Sequence, residues 1–237
     1  MKIIVSPTKQ MIKTSNHDAT TKPLFLEKTK YIQNILESMS KEEIHTNFKI
    51  SFALVDDVYK HIHHKEINSS AIYLYTGTVF KQLQLNSYSL QERQYINNYT
   101  RILSSYYGLL LPSDEVSPYR LDMLTKFPIS LYHYWQESID NYFEKEDFII
   151  SLASKEYSSM LKHPNIIEID FVVKNGPTLT RNAMHVKKAR GMMLHACIKN
   201  NIQTIEQLIK LEVDGYCYQE NLSTSHHLVF MFDKRKL

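Results

Sequence analysis

Short apolar runs separated by longer amphipathic segments constrain the fold of this chain more than any other feature. The runs are rich in Ile, Val, Phe and Tyr, as strands are, and they lie at residues 2–5, 71–75, 148–152, 166–173 and 226–232. Three intervening segments begin with the capping-box pattern of a helix start, in the pairs Ser40 with Glu43, Ser89 with Glu92, and Thr204 with Gln207. We therefore predict an α/β fold in which helices wrap a central mixed sheet.

The chain contains no repeat, low-complexity segment or Pro/Gly/Ser-rich linker, so we predict one domain over residues 1–237. Two cysteines are too few for a disulfide scaffold, and Cys197 and Cys217 fall on a predicted apolar helix face and in a predicted strand. The apolar start is too short for a signal peptide, and no run reaches the roughly 20 apolar residues of a membrane span. We expect a cytoplasmic monomer that does not contact membranes.

The overall charge is too small to mark the whole chain as a polyanion binder. It carries 28 basic and 25 acidic residues, a formal net charge of +3. Only five glycines are present, which argues against a glycine-rich nucleotide loop. Any site for an anion must therefore be local.

Small or polar clusters follow three of the predicted strands. They are Ser6-Pro7-Thr8-Lys9, Thr76-Gly77-Thr78 after Tyr75, and Ala153-Ser154-Lys155-Glu156-Tyr157. Open α/β sheets bind ligands at the carboxyl ends of their strands. Ser6-Pro7 and Ala153-Ser154 also resemble helix starts, whose exposed amides could bind an anion or serve only as ordinary caps.

The segment from Phe171 to Ile205 carries a net positive charge. It contains six basic residues and no acidic one, and they are Lys174, Arg181, Lys187, Lys188, Arg190 and Lys199. Its centre has the pattern of an amphipathic helix whose buried stripe is Val186, Ala189, Met192, Met193, Ala196 and Cys197.

Two of these cations lie at the border of the apolar stripe. Lys187 and Arg190 are one turn apart, so their charged groups can converge on an internal carboxylate or on a bound phosphate or carboxylate. Lys188 falls on the opposite side with His195 and Lys199, which we expect to be solvated.

The middle of the chain adds an arginine and a tyrosine after a proline turn. Arg120 either pairs with Asp122 or Glu115 or points at a substrate anion, and Gly108 is expected to have a positive φ or to allow a close approach of the backbone. His61, His63 and His64 have no carboxylate at ligand spacing, so we predict no metal and no cofactor.

Several segments together resemble the peroxide stress protein YaaA family. They are Ser6-Pro7-Thr8-Lys9, Tyr75-Thr76-Gly77, Ile102-Leu103-Ser104, Tyr107-Gly108-Leu109-Leu110, Pro118-Tyr119-Arg120-Leu121-Asp122-Met123, Leu152-Ala153-Ser154-Lys155-Glu156-Tyr157 and Lys187-Lys188-Ala189-Arg190-Gly191-Met192-Met193. The resemblance extends from residue 2 to about residue 232.

This resemblance implies a bacterial cytoplasmic protein that protects against hydrogen peroxide by limiting damage driven by free iron. It also implies a mixed α/β domain of unusual topology, with a positively charged cleft that binds DNA without sequence preference. A helix-hairpin-helix-like element would correspond to Ile35–Ile62, which contains no glycine. The family's arginines are absent at Leu111, in Met193-Leu194-His195 and in the final strand, which weakens the case for tight DNA binding.

Two functions remain open at this point. The first is a DNA-binding stress protein, and the second is an enzyme or ligand-binding protein with a pocket for a small molecule that bears a phosphate or carboxylate. For the second, Lys9 or Lys187 would be the base or nucleophile, and no reaction can be assigned. An internal salt-bridge network is a third interpretation. The candidate residues for an anion or DNA site are Lys9, Tyr75, Arg120, Ser154, Tyr157, Lys187, Lys188 and Arg190.

Overall fold

The structure, a computed structural model, describes residues 1–12, 19–64 and 67–234. Its helices within these ranges are α1 (Leu26–Glu37), α2 (Lys41–Phe48), α3 (Phe52–His63), α4 (Ala71–Leu74), α5 (Leu90–Tyr99), α6 (Leu131–Phe143), α7 (Lys155–Ser158), α8 (Ala183–Lys199) and α9 (Ile205–Leu208). Its strands there are β1 (Lys2–Val5), β2 (Ser69–Ser70), β3 (Thr100–Ser104), β4 (Gly108–Leu110), β5 (Glu115–Val116), β6 (Ile149–Ser151), β7 (Ile166–Asn175), β8 (Thr178–Thr180), β9 (Glu212–Val213), β10 (Tyr216–Tyr218) and β11 (His227–Asp233).

A mixed sheet of nine strands forms the centre of the protein. Its strand order is β4-β3-β1-β6-β7-β11-β10-β9, and β8 pairs with β7. The five strands from β3 to β11 are parallel, and the others pair antiparallel at the margins. Ile3, Ile4 and Val5 of β1 are completely buried, as expected of a parallel strand covered on both faces. The predicted mixed sheet wrapped by helices is confirmed.

The order of the strands reverses at β1. The chain first adds β3 on one side of β1 and then returns to add β6 and β7 on the other side. At such a reversal the connections leave the sheet in opposite directions, and a crevice opens at the carboxyl ends of the two central strands. Here those strands are β1 and β6.

Most of the predicted elements are confirmed. The runs at 2–5, 148–152, 166–173 and 226–232 form β1, β6, β7 and β11. All three capping boxes are present, each with its pair of reciprocal hydrogen bonds. Gly108 has the expected positive φ, at 75°.

Two local predictions are wrong. The run at 71–75 contains the single helical turn α4 instead of a strand. Its Ala, Ile and Leu are all buried, so the run lacks the apolar–polar alternation that distinguishes a strand from a helix. Ser6-Pro7 starts no helix, since residues 6–10 are irregular. Ala153-Ser154 does precede a helix, α7.

Helix α8 covers the sheet near the crevice. Ala189, Met193 and Cys197 are buried as predicted, and Leu194 and Ile198 are buried as well. A Cβ at Gly191 would lie 2.2 Å from the carbonyl oxygen of Val79, so only glycine permits this close approach. The contact holds α8 against residues 77–79, beside the carboxyl end of β1.

A short connection joins α2 and α3 at the position of the expected helix-hairpin-helix-like element. It spans residues 49–51, and Lys49 adopts a left-handed conformation with φ 51°, the role that glycine usually takes. Within the ranges given above, no helix has both the length and the apolar composition of a membrane span.

Candidate functional site

A cavity of about 340 Å³ opens at the carboxyl ends of β1 and β6. Its walls come from residues 6–11, 77–79, 119–122 and 152–157 and from α8. Six of the eight candidate residues line it, and they are Lys9, Arg120, Ser154, Tyr157, Lys187 and Arg190. The fold thus gathers side chains from five distant segments at the reversal point of the sheet.

A pair of serines forms one wall of the cavity. The backbone amide of Ser154 donates a hydrogen bond to the Ser6 side-chain oxygen at 2.8 Å, and the two hydroxyl oxygens are 3.2 Å apart. The loop that follows α4 packs against the same segment, because a Cβ at Gly77 would lie 2.1 Å from Thr8 Oγ1. These contacts bring the strand-end clusters predicted after residues 5, 75 and 152 together.

Tyr75 lies behind the cavity rather than in its wall. Its hydroxyl is 3.0 Å from that of Tyr119, which lines the cavity and is also 2.8 Å from Ser104 Oγ. Burial raises the pKa of Tyr75 and raises the pKa of Tyr119 to about 12. Both phenols are therefore neutral at physiological pH and can donate hydrogen bonds.

One corner of the cavity is acidic. Asp122 pairs with Lys9 at 2.5 Å, and the charges of both residues affect the pKa of Glu156. Burial, followed by the charge of Asp122, raises the pKa of Glu156, and Lys9 opposes this. We call Asp122 and Glu156 the acidic corner. The sequence interpretation considered Asp122 only as a partner for Arg120, and it overlooked Glu156 although Ser154 and Tyr157 flank it.

Three cations of the cavity wall, Arg120, Lys187 and Arg190, have no carboxylate oxygen within 4.0 Å in the described residues. The two partners suggested for Arg120 are engaged elsewhere, since Asp122 pairs with Lys9 and Glu115 with Lys22. We call these three residues the unpaired cations.

Arg190 is a partly buried member of the unpaired cations. Burial lowers its pKa, and the charges of Asp170 and Glu168 only partly oppose this. Those carboxylates pair with other cations, Asp170 with Arg181 at 2.7 Å and Glu168 with Lys155 at 3.5 Å. Its Nε is buried without a hydrogen-bond acceptor among the residues that the structure describes. A buried donor in this state needs an acceptor beyond the described residues, which solvent or a bound anion can supply.

The other basic residues of the Phe171–Ile205 segment lie outside the cavity. Lys188 pairs with Asp214 at 2.9 Å and Lys199 with Glu92 at 2.7 Å, so Lys188 does not join the other candidates. His195 is not solvated as predicted, because its ring is half-buried and its Nδ1 is 2.6 Å from the hydroxyl of Tyr88. Across the described residues, no three His, Cys, Asp or Glu side chains are grouped so that they could hold a metal ion.

Comparison with known proteins identifies the relatives of this chain. The family model described as "Peroxide stress protein YaaA" matches residues 1–222. A UPF0246 protein of Finegoldia magna is 35% identical, over 98% of this chain and 98% of its own length. A UPF0246 protein of Fusobacterium nucleatum is 34% identical, over 97% of this chain and 98% of its own length. On these similarities, the chain belongs to the peroxide stress protein YaaA family.

Proposed function

We propose that the cavity binds a small molecule that carries a phosphate or carboxylate group, and that the protein acts in peroxide stress through this ligand. The observation that carries the proposal is the buried Nε of the partly exposed Arg190, which lacks an acceptor among the described residues, beside two further unpaired cations. Burial of a charge without a partner is costly, and a bound anion would offset that cost.

The shape of the site favours a small ligand over a long polyanion. The unpaired cations come from two separate elements and line one concave space. Small-molecule sites have volumes of about 300–1,000 Å³, and the cavity falls at the lower end of this range. A polyanion would require free cations arranged along a surface. Outside the cavity, Arg181, Lys188 and Lys199 each pair with a carboxylate, so their charges are already offset.

Calorimetric titration of the full chain with inorganic phosphate tests the proposal. We expect saturable binding that Arg190→Ala weakens by about tenfold or more, which corresponds to the loss of a charge-assisted hydrogen bond. Lys188→Ala is the matched control, because Lys188 lies on the same helix and pairs with Asp214 outside the cavity. Equal weakening by both variants, or no heat of binding at all, would contradict the proposal.

The stress role is tested in a bacterium that lacks its own protein of this family and is sensitive to peroxide. The unchanged chain and Lys188→Ala should restore survival, and Arg190→Ala should restore less at equal protein level. If Arg190→Ala protects fully, the cavity is not needed for the stress role.

Sequence-independent contact with DNA is a second candidate function, through which the protein would limit iron-driven damage to DNA. It is favoured by the α2–α3 connection at the position of the helix-hairpin-helix-like element, by the exposed Lys187 and by the partly buried Lys174. If Lys174, Lys187 and Arg190 each contact a phosphate, the salt slope is about −2.7, so a fourfold rise in salt weakens binding about 40-fold. Anisotropy of a labelled duplex measures this, and a flat response would exclude the contact.

A further inference from the structure

The unpaired cations and the acidic corner line the same cavity. Asp122 pairs with Lys9 at 2.5 Å. Among the described residues, no carboxylate oxygen of the acidic corner lies within 4.0 Å of an unpaired cation. The cavity therefore offers both free cations and carboxylate acceptors to one ligand.

The charge of the cavity indicates how much negative charge a ligand brings. Lys9 is offset by Asp122, and the unpaired cations leave three positive charges against one carboxyl, that of Glu156. A ligand with two negative charges would balance this set. Two guanidinium groups and one ammonium group also suit a tetrahedral oxyanion, because each guanidinium can bind two of its oxygens.

The acidic corner determines how those two charges are distributed in the ligand. A dicarboxylate of cavity length would place its second carboxylate near Asp122 and Glu156, where like charges repel. A phosphate monoester carries both charges on one group and leaves its other end neutral. Hydroxyl or amine groups at that end would donate hydrogen bonds to Asp122 and Glu156.

We propose, resting on the anion-binding function above, that the ligand is a phosphate monoester whose organic part carries hydroxyl or amine donors. Its phosphoryl group binds Arg120, Lys187 and Arg190, and its donors face the acidic corner.

Calorimetry of the full chain with ribose 5-phosphate, inorganic phosphate and succinate tests this assignment. Ribose 5-phosphate should bind about tenfold tighter than inorganic phosphate, as expected for one or two added hydrogen bonds to charged acceptors. Succinate should bind more weakly than inorganic phosphate. If succinate binds as well as ribose 5-phosphate, or if the ester gains nothing over inorganic phosphate, the assignment is wrong while the anion-binding function stands. If none of the three binds, both fail.

Asp122→Asn provides a second measurement, in which the affinities of the two probes should change by different amounts. The substitution removes a repelling charge and frees Lys9, so inorganic phosphate should bind more tightly. Ribose 5-phosphate should lose most of its advantage, because an amide oxygen is a weaker acceptor than a carboxylate. A variant that shifts both probes equally would show that the acidic corner does not contact the organic part. Lys188→Ala should change neither probe.

Discussion

The backbone amide of Ser154 donates a hydrogen bond to the side chain of Ser6, which lies 148 residues earlier in the chain. The bond joins the carboxyl ends of β1 and β6, the two strands at which the order of the sheet reverses. It therefore fixes the position of residues 6–11 relative to residues 152–157 in the lining of the cavity.

Replacement Ser6→Ala should loosen this junction. The Ser154 amide loses its acceptor, so we expect the free energy of unfolding to fall by about 1–2 kcal/mol. Urea denaturation measures the loss. Ser159→Ala, which removes an exposed serine hydroxyl bonded to its own helix, should change stability little. Equal effects of the two substitutions would show that the Ser6–Ser154 contact contributes nothing special.

Replacement Gly191→Ala should destabilise the protein although alanine favours helices. Within a helix the exchange normally gains about 1 kcal/mol. Here the new Cβ would lie 2.2 Å from the Val79 carbonyl, and overpacking costs about 1–3 kcal/mol. We expect a net loss in denaturant unfolding and weaker phosphate binding, because α8 must move away from residues 77–79. A variant more stable than the original chain would contradict this packing.

Replacement Arg190→Met should raise stability while it weakens phosphate binding about as much as Arg190→Ala does. The methionine keeps much of the side-chain length and removes a buried charge that lacks an ion pair among the described residues, so the expected gain is about 1 kcal/mol. Arg181→Met is the control, since Arg181 binds Asp170 through two nitrogens and its removal should bring no gain. If Arg190→Met instead destabilises the chain strongly, Arg190 belongs to an internal network.

Glu156 should make the stability depend on pH in a defined direction. Its pKa is raised above 4.5 in the folded protein, so the folded state holds the proton more strongly than the unfolded state. The free energy of unfolding then falls as the pH rises from the unfolded to the folded pKa, and the penalty persists above it. Glu156→Gln removes this term, so the variant should gain more stability over the original chain at pH 7 than at pH 4. Thermal unfolding at the two pH values checks the sign, and the exposed Glu144→Gln serves as control.

The sequence predicts the parallel centre of the sheet well, because β1, β6, β7 and β11 are continuous runs of apolar residues. It misleads at 71–75, where an equally apolar run forms a helical turn stabilised from outside by the carbonyls of Pro112 and Asp114. The residues of the run alone do not predict hydrogen bonds to carbonyl groups about 40 residues later in the chain.

The candidate site shows the same limit. Positions next to strand ends and on one helix face identify Lys9, Ser154, Lys187 and Arg190 as residues of one region. Ion pairing depends on distance in space, so the sequence could not tell that Asp122 pairs with Lys9 instead of Arg120, or that Lys188 pairs with Asp214. The sequence gives no reason to select Glu156 within its strand-end cluster, because an acidic residue in the first turn of a helix is ordinary.

The walls of the cavity are spread from residue 6 to residue 190. During synthesis, the first wall leaves the ribosome long before α8 does. A growing polypeptide therefore has no complete binding site until residue 190 has been translated, and its ligand can stabilise only chains that extend beyond this residue.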